Sequence, residues 1–235
     1  MPTSKVEIRT CEENFYNKCN ENGDKSRMRC FAILDGKHWE TEHPPHSGSL
    51  NMNYKSYFSF NSLAMCDSDL RVIYLQISKH GVNSDAQMFR DGPLGDILSE
   101  IADIGGFRTL PDSNVLMPPF ILSDNGFALT KNVMQPYREL QLTPENMAFN
   151  EKLCATRVKI ENFFGVFTSK FRIFRRALNL DPANSRALVV ALCVVHNIQV
   201  GRVVLTASPN EAVFPDPYSS AECQRTALKK YILNL

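Results

Sequence analysis

Apolar residues recur along this chain in two distinct patterns. Two short continuous runs, Cys30 to Leu34 and Phe120 to Leu122, each lead at once into an acidic word, Asp35-Gly36 and Ser123-Asp124. Runs of this length bounded by turn residues are the pattern of strands buried on both faces, so each is predicted to carry an aspartate at its C-terminal tip. Tyr54 to Phe60 and Val72 to Ile77 read as two further strands, following the first as a meander. From Asp85 to Ile101 the spacing changes to three and four residues, with Met88, Phe89, Leu94, Ile97, Leu98 and Ile101 on one face. That predicts an amphipathic helix, kinked or starting late at Gly92-Pro93. Thr143-Pro144-Glu145 is a helix start, and Phe149, Leu153, Ile160, Phe163 and Phe167 carry its apolar face past Glu161. Ala183 to about Val200 is almost wholly apolar and is predicted to be a core helix.

The remaining segments are punctuation. The first 30 residues are polar and predict a poorly packed N-terminus, with Asn20 to Ser26 an exposed loop. His43 to Ser49 is a loop by its proline and glycine content. The expected division is a polar extension over 1–29, one folded domain over 30–205 and a C-terminal tail over 206–235. Three strands, a helix, a strand and then helices fit a mixed-sheet α/β domain.

Composition narrows this little. The 235 residues are 43% hydrophobic, enough for one sizeable core. The seven cysteines show no pairing at zinc spacing, which favours a reducing compartment. No run approaches the roughly 20 uninterrupted apolar residues of a membrane span, and Met1 to Thr10 is not leader-like, so a soluble, unsecreted protein is expected. The formal charge is +1, low for a protein that grips DNA unaided. Its distribution is uneven, however. Ser62 to Asp112 holds eight acids against four bases, whereas Glu151 to Leu180 holds seven bases against two acids. DNA is expected to touch the second segment first. Within it, Arg172, Arg175 and Arg176, interleaved with Phe171 and Phe174, are read as a phosphate-contacting cluster, the bland reading being the wet face of a strand.

The three acids so placed, Asp35, Asp124 and Glu161, invite a chemical reading. Cleaving a phosphodiester needs an activated water, charge neutralisation at phosphorus and a stabilised leaving oxygen, which a pair of divalent ions supplies together. Magnesium is usually held by one or two carboxylates plus substrate phosphate, so three converging acids suffice for a pair. Glu161, beside Ile160, Phe163 and Phe164, is expected in surroundings costly for a charge, with Arg157 one turn earlier as the ordinary partner.

The words around these acids resemble the catalytic domain of Harbinger-type (PIF/Harbinger) DDE transposases and their domesticated nuclease relatives. The resemblance is carried by Ala32-Ile33-Leu34-Asp35-Gly36-Lys37-His38, Asn53-Tyr54-Lys55 with Phe58-Ser59, and His80-Gly81-Val82-Asn83-Ser84-Asp85. It continues through Ile121 to Phe127, Phe149-Asn150, Arg157 to Gly165 and His196-Asn197. The acids stand 89 and 37 residues apart, in the family's order. The resemblance implies a ribonuclease H-like mixed sheet flanked by helices, with Asp35, Asp124 and Glu161 as the catalytic and metal-holding triad. It also implies Mg2+ or Mn2+, DNA as substrate, nuclear residence and a separate Myb-like DNA-binding partner. Two departures stand out: Ser123 replaces a glycine, and the polar Glu21 to Arg29 stretch replaces an aromatic, proline-containing approach. The family carries a helical DNA-binding region ahead of its catalytic part, and 34 residues precede Asp35 here.

Other polar residues have plainer readings. Lys37 and His38 read equally as phosphate contacts and as exposed turn residues. His43 and His46 lack further ligands and read as a solvated loop. His196-Asn197, in an apolar helix, reads as a satisfied buried pair. The leading expectation is a metal-dependent DNA endonuclease; the rival is a decayed or domesticated module that binds DNA or protein without cleaving.

Overall fold

The computed structural model describes residues 1–21, 28–43, 49–201, 204–205, 207 and 212–234. Most of the loop expected over Asn20 to Ser26, and His46 with its neighbours at 44–48, lie outside the described residues. The centre is a five-stranded sheet in the order β3-β2-β1-β6-β7. These strands are β1 (Ala32–Glu40), β2 (Ser59–Cys66), β3 (Val72–Ile77), β6 (Ile121–Leu122) and β7 (Val133–Met134). A small hairpin of β4 (Arg108–Thr109) and β5 (Leu116–Met117) lies apart from it. The first three strands form the expected antiparallel meander, while β6 joins β1 in parallel through Ala32↔Ile121 and Ile33↔Leu122. With helices on both faces, this is the ribonuclease H-like α/β architecture.

Strand alternation assigns the faces. Ala32 and Leu34 of β1 pack with Leu63, Met65 and Ile121 beneath α1 (Lys5–Glu21), α2 (Asp85–Asp91) and α3 (Leu94–Gly105). Ile33 points the other way, into the larger core with Phe149, Leu153, Ile160, Phe163 and Phe167 of α4 (Pro144–Lys170). α4 begins as expected, Thr143 accepting from the Asn146 N–H with Pro144 in the first turn. The predicted helix at Asp85 is in fact two, because Gly92-Pro93 ends α2 and α3 starts afresh.

Several expectations are corrected. Asp35 is not at a strand tip: β1 runs on to Glu40, its residues from Ile33 paired in register with Cys66 back to Ser59. The strand expected over Tyr54 to Phe60 starts only at Ser59, the preceding residues forming a turn with Ser56 at φ 64. The N-terminus is well packed. α1 buries Ile8 and Phe15, and with them the polar Arg9, Thr10 and Glu12: Glu12 pairs with Arg108, and the half-buried Glu13 lies 3.7 Å from Arg29. In the predicted tail, α6 (Ala221–Leu233) buries Leu228, Tyr231 and Ile232 in the larger core.

α5 (Pro182–Val200) forms where expected but is not a core helix. It buries Ser185, Val189, Cys193 and His196 and leaves Val190, Val194, Val195 and Ile198 exposed. By length and composition it is the one described helix apolar enough to cross a membrane. Its polar pair has a fold role: His196 Nε2 lies 2.8 Å from the Leu70 carbonyl. The Asn197 side chain accepts from the Val72 N–H at 2.9 Å and donates to the Val72 carbonyl at 2.7 Å. The expected satisfied pair is thus met at His196 Nε2 and at the half-buried Asn197, whereas His196 Nδ1 is buried without a hydrogen-bond partner among the described residues.

Candidate active site

The site follows from β1's alternation past Leu34. Asp35, Lys37 and Trp39 share Ile33's face, toward α4; Gly36 and His38 share the opposite face, toward α2. Trp39 closes the α4 side as core, its ring 5.7 Å from Phe167 and 4.6 Å from Phe174, its indole N–H donating to Ser62 Oγ at 2.8 Å. Just before it, a cleft of about 430 Å³ opens between β1, the Tyr54–Tyr57 turn, the start of α2 and α4. Asp35, Lys37, His38, Asp85 and Glu161 line it, with Phe164 and Thr168.

Asp35 is largely buried, its Oδ1 accepting from the Gly36 N–H at 2.9 Å and its Oδ2 4.0 Å from the Arg157 guanidinium. Burial pushes its carboxyl from the ordinary 3.8 up to about 6. The Gly36 hydrogen bond and Arg157 oppose that rise, while the charges of Asp124 and Asp85 add to it. Arg157, expected as the partner of Glu161, is instead the partner of Asp35. Asp124 follows β6 directly. It is half-buried, with Oδ1 accepting from the Gly126 N–H at 2.9 Å, and close enough for its charge to act on both Asp35 and Asp85. Ser123 before it is fully buried. Glu161 reaches the same cleft as Asp35 but from α4's solvent side, so the expectation of an apolar setting for its charge is corrected. Among the described residues, no three His, Cys, Asp or Glu side chains stand near enough to enclose an ion unaided.

A fourth acid belongs to this place. Asp85 opens α2 behind the Ser84 cap and accepts from Asn61 Nδ2 at 2.6 Å. Burial raises its carboxyl, against the Asn61 hydrogen bond and the charge of His38. It lies directly under Gly36, where a Cβ would come within 2.1 Å of its Oδ1. A glycine inside an otherwise regular strand marks such a close approach, and that is the signal by which Asp85 was detectable. Tyr54 and Lys55, on the cleft rim, are marked in the sequence only by the Asn53-Tyr54-Lys55 word.

The arginine cluster lies elsewhere. Arg172, Arg175 and Arg176 are all exposed, the first two on a 3-10 turn over Arg172–Arg175 that follows α4 and Arg176 capping its end, not on a strand. The interleaved phenylalanines face inward instead, Phe171 and Phe174 packing 5.0 and 5.4 Å from Phe167.

Residues 34–197 match the family model described as DDE superfamily endonuclease. Among curated proteins, the chain is 22% identical over 203 residues to "Putative nuclease HARBI1" of Bos taurus. The human protein of that name matches at the same identity, and in each case 85% of this chain and 52% of the relative are covered. The Xenopus laevis protein of that name is 21% identical over 221 residues, 92% of this chain and 58% of the relative. The chain thus spans about half the length of the curated relatives it matches. No solved structure matches it. The match extends from the strand that carries Asp35, through Asp124 and Glu161, to the Asn197 that pins β3, and the chain belongs to the DDE superfamily endonucleases.

Proposed function

We propose that this chain is a divalent-metal-dependent DNA endonuclease in which Asp35, Asp124 and Glu161 form the acidic triad. The observation that carries the reading is Asp35: a carboxylate set into the central strand, raised to about 6, with Arg157 as an ion-pair partner no nearer than 4.0 Å. Burying a charge so weakly compensated is costly, and sites of that kind mark chemistry more often than structure. An all-oxygen donor set of carboxylates suits Mg2+ or Mn2+, which take one or two protein carboxylates and complete their shell from water and substrate phosphate. Asp35 and Asp124 would hold such an ion, with Glu161 approaching from α4 and water and substrate phosphate supplying the remaining ligands. Bound there, it supplies an activated water and neutralises charge at phosphorus.

The protein's own groups do the rest. The backbone N–H groups of Gly36 and Gly126 bind Oδ1 of Asp35 and of Asp124 and so restrain the rotamer of each. Arg157 balances part of the acidic charge from behind and holds Asp35 toward α4. Glu161, on the solvent side, is open to water and to the departing strand. Arg172, Arg175 and Arg176 contact the DNA backbone beyond the cleft; a Myb-like partner and nuclear residence complete the reading. The test is nicking of supercoiled plasmid by the purified chain with Mn2+, beside Asp124→Ala and a chelator control. Cleavage lost in both controls is expected. No cleavage, with or without a DNA-binding partner, would favour a binding module that keeps the fold without the chemistry.

A further inference from the structure

The cleft has a second wall that the acids do not explain. Opposite α4 stands the Tyr54–Tyr57 turn, and its order does not depend on Tyr54. The buried Asn53 donates to Ser59 Oγ at 2.9 Å and accepts from the N–H groups of Lys55 and Tyr57 at 2.9 and 3.4 Å. Ser59 Oγ lies in turn 3.0 Å from His38 Nδ1 on β1. The turn is therefore tied to the sheet by its asparagine, while the Tyr54 ring is left 80% exposed at the mouth of the cleft. His38 meets that ring edge-on at 5.9 Å, and the Lys55 ammonium lies 5.4 Å from its centre. Lys37 enters from β1, its ammonium 5.7 Å from the Phe164 ring, and lines the same cleft as Lys55. Two lysines whose charges oppose one another are relieved by an anion shared between them. An exposed aromatic face beside them is the platform on which a nucleobase stacks.

We propose that Tyr54, Lys55 and Lys37 form a subsite for one unstacked nucleotide of the strand entering the cleft, its base on the Tyr54 ring and its phosphate between the two ammonium groups. The choice of DNA as ligand rests on the endonuclease reading above. The volume, about 430 Å³, lies in the range of small-molecule sites and is matched to a single nucleotide beside Asp35 and Glu161 rather than to an intact duplex. The subsite tolerates any base, because every base has a π-face. Its substrate is DNA with a frayed or single-stranded segment at the cut, since extracting a paired base costs unstacking energy that an unpaired base does not.

The experiment compares binding of a blunt duplex with duplexes bearing a single-stranded overhang of either polarity, each carrying 2-aminopurine in the overhang or the corresponding terminal position. The full chain is used with a chelator present, so that nothing is cut. The overhang of one polarity is expected to bind about tenfold more tightly than the blunt end, with the 2-aminopurine emission changing on binding. Tyr54→Ala should bring the overhang to the blunt-end affinity without moving the unfolding midpoint, whereas Tyr54→Phe should keep the preference. Equal affinity for blunt and overhanging ends, an overhang preference that survives Tyr54→Ala, or no DNA binding at all would overturn the subsite. Plasmid nicking by the wild-type chain separates the two proposals. Nicking without an overhang preference removes the subsite alone; overhang capture without nicking removes the endonuclease reading and leaves a strand-binding cleft.

Discussion

At Asp35, burial and function pull in opposite directions. Its carboxyl moves from 3.8 to about 6 on folding, so between those values the folded protein binds more protons there than the unfolded chain does. The stabilisation from this group is therefore full below that window and is lost as pH rises through it, a swing on the order of 3 kcal/mol. Asp35→Asn keeps an acceptor for the Gly36 N–H and removes the charge. At pH 7.5 in chelator it should melt a few degrees above the wild type, while nicking is abolished. Thermal melts at pH 4.5 and 7.5 check this, and a variant less stable than wild type at pH 7.5 would show that burial of charge is not the cause. Glu161 behaves differently because its side chain faces solvent. Glu161→Gln should change stability by no more than about 0.5 kcal/mol in urea unfolding and still lose nicking. Of these acids, Asp35, Asp124 and Glu161 were legible in the sequence because each sits in a local word. Asp85 also lies in such a word, His80 to Asp85, but its place in the cleft depends on a contact made through the sheet under Gly36. Gly36→Ala drives a methyl into that carboxylate and should cost about 1–3 kcal/mol. If the clash is the reason, much of that loss should return in the Gly36→Ala, Asp85→Ala double variant, and strict additivity would rule it out.

Among the elements, those with a clean hydrophobic period were legible and those whose polar groups are paired in the interior were not. β3, β6, α4 and α5 form close to where apolar spacing puts them, and β1 begins there but runs on past Asp35 to Glu40. The Tyr54 to Phe60 strand fails because the Asn53 side chain captures two backbone N–H groups and Ser56 goes left-handed, so turn chemistry overrides the β preference of tyrosine and phenylalanine. α1 escaped notice for the opposite reason. Its charges look like solvated surface but are the means by which it docks: Glu12 is fully buried against Arg108 of β4. Removing one member of a buried pair strands the other, so Glu12→Ala should cost about 3–5 kcal/mol in urea unfolding. A loss under 1 kcal/mol would mean that the pair is not desolvated in solution. The folded unit therefore begins before residue 30, where composition suggested an extension.

Across the whole molecule, a net charge of +1 conceals a basic stretch that runs from α4 into the exposed arginine turn. If Arg172, Arg175 and Arg176 each neutralise a phosphate, replacing any one with alanine should weaken DNA binding about equally across sequences. It should also flatten the dependence of log affinity on log salt by about one. An unchanged slope would place these arginines outside the DNA path. Nothing local in the sequence distinguished α5's buried stripe from its exposed one, since valine occupies both; packing against β3 decides it. That packing also governs how molecules meet one another. β3 borders the five-stranded sheet, and the edge of a sheet is a template on which a strand from another molecule can grow. Asn197 occupies both hydrogen-bonding groups of Val72, so the amide acts as a stopper one residue wide, closing the edge at the place where a foreign strand would begin to register. Protection of that end of the edge thus comes from a side chain of a neighbouring helix and not from the strand itself.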